Sequence, residues 1–405
     1  MSILDPLLER LPLCFENAHV RVAKTLLPLV HPKIPIQRLT GSTQEGQQAS
    51  LVVAGDPSLA RHILRRFFQD RPRRRPLGFV PLRDLSFRIG AFVDGGDLIL
   101  GVVPRRSAQT LSTDQVLKVP EWVDYACFRD TDGCMRIPEN SSVQSDLRRI
   151  RKFGLTTRVT HDPAELRFFI HSMYRPYMKN RFGSMDLQIK STTIARRFRH
   201  GGLQLAESAH GPVAGEVFST TPSTVTSFTI GAREGTPEAV QQGALGALYA
   251  GSFALADQLG SSCLNFGGCR PVLSDGVTRY KRKWGGRIVH REAAFYEFVI
   301  AWKQMSRTVR SFLNSNPLLF RTGSGFSGVW TPSREWLAHP RKLYTEARSL
   351  VVNGVDRIWI GVPRDLLPMP EGPAHTRFVP LEELTPQFLA HMTQPCSQPE
   401  IGRAS

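Results

Sequence analysis

No stretch of this 405-residue chain approaches the ~20 consecutive apolar residues that a membrane-spanning helix needs. The first residues carry Asp5 and Glu9 and no basic-then-apolar leader, so a cytoplasmic protein is expected. Cysteine is scarce: Cys14, Cys127, Cys134, Cys263, Cys269 and Cys396 form no C-x-x-C pair and no Cys/His zinc spacing. Reduced thiols are therefore expected, with no metal, and Cys263 reads as a small buried hydrophobe. Familiar catalytic signatures are missing too. There is no G-x-S-x-G, no H-E-x-x-H, no P-loop and no G-x-G-x-x-G. That argues against the usual serine hydrolase, zinc protease, NTPase and dinucleotide classes. Acidic residues are outnumbered: 35 Asp and Glu against 52 Lys and Arg give a net charge of +17.

The positive charge is clustered. Arg61 to Arg75, Arg148 to Lys152, Arg196 to Arg199 and Arg279 to Lys283 are the four concentrations. Such patches suit phosphate-bearing partners, and they equally suit a solvated basic surface. Length implies two or three domains. Residues 1–135 read as a small α/β domain. It opens with two apolar helical segments and contains a strand at 51–54 and a helix from Asp56-Pro57. A basic linker at R-P-R-R-R-P and a hairpin over 87–103 follow. From Ser145 the pattern sharpens. A basic helix is expected at 145–153, with Leu147, Ile150 and Phe153 inward. A second helix starts at Asp162-Pro163 with a cap and a first-position proline. Three strands follow, near 203–208, 213–219 and 224–230, and then one long small-residue helix at 237–259. Residues 306–405 form a third region with a loop at 323–328, a helix over 336–352 and a disordered end.

The stretch S-C-L-N-F-G-G-C-R-P-V-L-S-D-G-V-T-R-Y-K-R-K-W-G-G-R-I-V, 262–289, organises the rest. A short strand (263–266) meets the paired glycines Gly267 and Gly268. A basic helix (278–284) then closes on Gly285 and Gly286. Strand, helix, strand, basic helix, strand is an α/β unit whose strand ends form a cleft.

These residues resemble the last third of a GNAT-superfamily acyltransferase of the Fem-type branch, near the bacterial acetyltransferases of the cellulose-biosynthesis-like group. The resemblance rests on Gly260, Phe266-Gly267 and Arg279-Tyr280-Lys281-Arg282-Lys283-Trp284-Gly285 in that order, and spans roughly 145–302. It implies an α/β (α+β) fold with a GNAT-like mixed sheet flanked by helices. Residues 145–305 would be the acyltransferase domain, 1–135 a degenerate first GNAT-like half, and 306–405 an α/β extension. The implied function is transfer of an acyl group from acetyl-CoA, another acyl-CoA or another thioester to a small-molecule or peptide amine. Gln241-Gln242-Gly243-Ala244-Leu245-Gly246 matches the family's pyrophosphate loop, with Ala244 in place of its first glycine. That departure keeps two alternatives open: aminoacyl-tRNA as the donor, and a non-catalytic accessory protein of polysaccharide or envelope assembly.

The resemblance also implies roles. Tyr280 would protonate the leaving group, and Glu216 would act as base. Against these stand bland readings: Tyr280 as packing and Glu216 as a solvated strand residue. Gln241, Gln242, Gly243, Gly246, Lys281 and Lys283 would hold donor phosphates. Arg175, Tyr177, Arg181 and Arg270 would line the acceptor cleft.

Overall fold

The computed structural model describes residues 33–94, 98–183, 189–291, 294–323, 325–369 and 372–393. The helical segments expected before residue 33, and the disordered end expected after 393, lie outside the described residues. Strands run in order as β1 (Lys33–Ser42), β2 (Gln48–Ala54), β3 (Arg73–Pro81), β4 (Ile99–Pro104), β5 (Leu117–Pro120) and β6 (Val123–Phe128). Then come β7 (Thr156–Thr160), β8 (Gly201–Ser208), β9 (Gly211–Thr220), β10 (Thr224–Ala232), β11 (Cys263–Cys269) and β12 (Arg287–His290). The last are β13 (Tyr296–Ala301), β14 (Leu318–Arg321), β15 (Phe326–Trp330), β16 (Arg357–Val362) and β17 (Thr376–Pro380). The helices used below are α1 (Arg61–Phe67), α2 (Leu85–Asp94), α3 (Ser141–Lys152), α4 (Pro163–Phe168), α5 (Arg175–Phe182), α6 (Pro237–Gln241), α7 (Ala244–Gln258), α8 (Gly276–Lys283) and α9 (Arg307–Ser315).

Two compact units follow the sheets rather than the chain order. Among the described residues the first holds Asp124–Cys269 and Tyr280–His290, and the second holds the rest. The first unit is built on a seven-stranded sheet of order β12-β6-β11-β10-β9-β8-β7. Strands β7 to β10 are antiparallel in sequence, and β11 joins β10 in parallel. This is a mixed α/β fold, as expected. Leu203, Leu205 and Val217 face one core with Phe169, Ile170 and Met173. Ala206, Ala214 and Ala232 face the other, with Ala244, Leu245 and Leu248 of α7. The period-2 alternation of strands puts those two sets on opposite faces.

The second unit has a six-stranded sheet, β3-β1-β2-β4-β13-β5, and a four-stranded one, β14-β15-β16-β17. Strand β13 lies between β4 and β5. Phe312, Leu313, Leu318, Phe320 and Trp359 share one core with Leu51, Phe67 and Phe298. So residues beyond 305 are not a peripheral appendage: they complete the core of β1 to β5. The boundaries expected at 135 and 305 do not coincide with the edges of these units.

Several local expectations are corrected. The R-P-R-R-R-P segment is an edge strand, β3, paired to β1 with a register shift beside Pro76. An edge strand tolerates proline because its outer N–H faces no partner. Residues 87–94 are not the first arm of a hairpin but part of α2. Leu85 and Ile89, one helical turn apart, are its buried positions, and Phe87 is 75% exposed. In α3 the buried residues are Val143 and Asp146, while Phe153 is exposed. The single long helix at 237–259 is two, α6 and α7, broken at Gly243 with φ +99°. Strand β11 continues through the paired glycines to Cys269. The second half of the expected 323–328 loop, from Phe326, belongs to strand β15, and the expected 336–352 helix is two pieces, Arg334–Leu337 and Pro340–Leu350.

Candidate active site

The first unit concentrates its buried polar groups under α7 and beside α8. Glu216 stands opposite Gln204 across the β8–β9 pair, so both point to the same face. That face is the one α7 covers. Glu216 is therefore not a solvated strand residue: it is 2% exposed. Its carboxylate accepts from Ser252 Oγ at 2.9 Å, and Gln204 Nε2 donates to the Leu248 carbonyl at 2.7 Å. Burial pushes the Glu216 carboxyl up to about 7, against the downward pull of Ser252 and the Lys281 ammonium. The helix can sit this close because Gly251 offers no side chain. A Cβ there would meet Gln204 Nε2 at 2.7 Å and Thr157 Oγ1 at 2.8 Å.

Strands β10 and β11 pair only over Thr224–Thr226 and Cys263–Asn265, although both continue further. Beyond the pairing, β10 is bulged between Ser227 and Thr229. In β11, Gly267 has φ +75°, and a Cβ on it would lie 2.7 Å from the Ser227 carbonyl oxygen. Lys281 comes to this point from α8. Its Nζ donates to the carbonyls of Gly267 at 2.8 Å and Gly268 at 3.0 Å, and the residue is 5% exposed. The Thr229 hydroxyl is buried without a partner among the described residues.

A second set centres on Asp146, which is 4% exposed. Lys283 Nζ and Arg149 Nη1 donate to its two oxygens, the latter at 3.3 Å. The Tyr280 hydroxyl donates to Asp146 Oδ2 at 3.4 Å, and the Lys283 ammonium lies 5.0 Å above the Tyr280 ring. Burial first, and the Asp146 charge next, hold the Tyr280 phenol well above its ordinary range, so it stays protonated. Tyr249 connects the two sets, with ring centroids 5.0 Å from Tyr280 and 4.8 Å from Phe266.

Asp146 was not singled out from the sequence. The available signal was its position in the apolar stripe Val143, Leu147, Ile150 of a helix otherwise rich in arginine. A lone acid on the inward face of a basic helix has to be paired.

The fit of an acyl-CoA pyrophosphate is tested at the start of α7, where Gly243 and Gly246 were expected to cradle it. A helix N-terminus favours an anion. Here α3 packs across that turn. A Cβ on Gly243 would meet Arg149 Cβ at 3.1 Å, and one on Gly246 would meet Asp146 Cβ at 3.1 Å and Oδ2 at 3.4 Å. Asp146 and Arg149 of α3 lie directly against these glycines, so the turn does not offer the open cradle that a pyrophosphate needs. Gln241, at the end of α6, is exposed and Gln242 half-buried.

Of the other expected site residues, Tyr177 is buried in the α7 core, and Arg181 Nη1 donates to its hydroxyl at 2.6 Å. Arg175 is exposed, donating to Ser191 Oγ at 3.1 Å. Arg270 belongs to the second unit. Its guanidinium stacks on Trp122 at 3.6 Å and lies 3.8 Å from Glu121. Burial lowers it to about 10.

No family model matches the chain, and no curated protein matches it. Among solved structures it is similar to L-PGS from Bacillus licheniformis (12% identity, TM-score 0.35), over 68% of this chain and 87% of that one. It is similar also to FemX (11%, TM-score 0.35), over 74% and 96%. A GCN5-related N-acetyltransferase from Kribbella flavida is a third (14%, TM-score 0.23), over 70% and 95%.

Proposed function

We propose that the protein is an acyltransferase that moves an acyl group onto an amine, with the chemistry in the first unit. The observation that carries this reading is the pair of connected polar sets where β10 parts from β11, inside a unit otherwise packed with apolar side chains. Acyl transfer needs a base for the amine, a donor for the developing oxyanion and an acid for the leaving group. Glu216, with its carboxyl near 7, suits the base. The bulged β10 backbone suits the oxyanion, whereas Thr229, opposite Val217, lies on the other face of the sheet. Tyr280, kept protonated, suits the acid, with Asp146 and Lys283 holding it in place.

Of the two donors, the closed start of α7 favours aminoacyl-tRNA over acyl-CoA. No pyrophosphate has to be seated there, and a net charge of +17 suits a polyanionic donor. The test is a donor-consumption assay: aminoacyl-tRNA or acetyl-CoA, a panel of amine acceptors, wild type and Tyr280→Phe. Amine-dependent deacylation of the tRNA that drops about 100-fold in Tyr280→Phe supports the reading. Thiol release from acetyl-CoA would replace this donor with the other. Equal rates for Tyr280→Phe, Glu216→Gln and Asp146→Asn would remove the site.

A further inference from the structure

The second unit contains a cavity of ≈ 980 Å³ that the acyl-transfer reading leaves unused. It lies at the start of α9. Ser306 caps this nine-residue helix, its Oγ accepting from Val309 N at 3.2 Å. Arg307 and Arg310, three apart and so on one helical face, line the cavity with Arg334. None of these three guanidiniums makes a side-chain hydrogen bond or ion pair to a carboxylate among the described residues. Three acids share the wall: Glu45 accepts from Asn314 Nδ2 at 2.6 Å, Glu382 pairs with Arg364, and Glu335 stands beside Arg334. Burial lowers Arg310 and the Arg334 charge lowers it further, against the upward pull of Glu45. Two more wall atoms lack partners. Ser311, 4% exposed, has an unbonded hydroxyl, and Gln47 has a buried unbonded Oε1.

Arg307 and Arg334 are exposed and Arg310 is half-buried, so the three guanidiniums are open to a solvent-borne anion. A helix start supplies further positive potential and free N–H groups. We propose that this cavity binds a small organic phosphate ester. The phosphate would sit among Arg307, Arg310 and Arg334. The rest of the molecule would lie against Met305, Pro332 and Leu381, with Ser311 and Gln47 meeting its polar atoms. The volume is that of a small-molecule site. The proposal is independent of the acyl-transfer reading, because none of these residues belongs to the first unit.

The test is calorimetric titration of the whole chain at low salt with ADP, inorganic pyrophosphate and adenosine. ADP and pyrophosphate should bind, more weakly as salt rises, and adenosine should not. Arg310→Glu should weaken ADP at least tenfold and leave donor consumption at Tyr280 unchanged. If circular dichroism shows that Arg310→Glu does not fold, Arg310→Gln and Arg334→Gln read the same effect. Binding of adenosine as tightly as ADP, absence of heat with both phosphates, or full ADP affinity in the folded arginine variants would overturn the proposal.

Discussion

Two acids of the first unit, Glu216 and Asp146, are buried among polar partners. Glu216 prefers its neutral form, so its folded value (about 7) lies above the ordinary 4.5. A group raised in this way contributes stability that is fully present below 4.5 and lost as pH climbs through 7. The size is about 3 kcal/mol, at 1.36 kcal/mol per unit. Chemical denaturation from pH 4 to 8 should show this decline, and Glu216→Gln should flatten it. A wild-type profile identical to that of the variant would show that folding leaves the Glu216 carboxyl at its ordinary value. Asp146 is a buried carboxylate that accepts from Lys283 and Arg149. Asp146→Asn should cost ~2–3 kcal/mol by leaving Lys283 without its partner, read as a lower denaturation midpoint with an unchanged slope. Neither burial was singled out from the sequence. Strand alternation puts Glu216 with Gln204 and Ala214 but does not say which face receives a helix. For Asp146 the one signal was its place in the apolar stripe Val143, Leu147, Ile150, set among arginines that read as a solvated surface.

At the element scale, the strands β8 to β11 and the helix α8 were legible, because apolar runs and glycine stops define them locally. Two features were not. The helix opened by Asp162-Pro163 becomes π-helical over Phe169–Tyr174. Strand β10 presses into that segment: a Cβ on Gly231 would lie 2.7 Å from Tyr174 N and Cα and 2.8 Å from Met173 C. These are backbone atoms that cannot swing aside. Gly231→Ala should therefore destabilise the protein by ~2–3 kcal/mol, whereas Gly211→Ala, with φ +98° but open space around it, should cost only ~1 kcal/mol. Equal midpoints for the two variants would contradict this contact. The break at Gly243 was hidden for a related reason. The composition of 237–258 is helical throughout, and only the approach of α3 gives the positive φ a purpose. The 87–94 segment misled by its pattern, since its alternating aromatic and polar residues also satisfy an i, i+4 pair, Leu85 and Ile89.

At the scale of the whole molecule, the units are interleaved. The chain leaves the first after Cys269, re-enters it at Tyr280 and leaves again after His290. Such long-range returns leave no mark on local sequence, which is why 306–405 looked separable. Phe312, Leu318, Phe320, Val329 and Trp359 complete a core shared with α1 and β2. A chain ending at residue 305 should thus fail to fold its second unit, seen as loss of soluble yield and of a cooperative melt. A cooperative, soluble truncation would contradict that core. The excess of positive charge also acts at this scale. It favours a polyanionic partner, and binding through it weakens as salt rises.

Acyl transfer beside Tyr280, with α3 packed over the start of α7, is checked by hydrogen exchange of the whole chain with aminoacyl-tRNA and separately with acetyl-CoA. Aminoacyl-tRNA should slow exchange over Cys263–Cys269 and Gly276–Lys283, and acetyl-CoA should leave the amides of 243–247 unchanged. Protection of 243–247 by acetyl-CoA, or no protection beside Tyr280 by aminoacyl-tRNA, would contradict it.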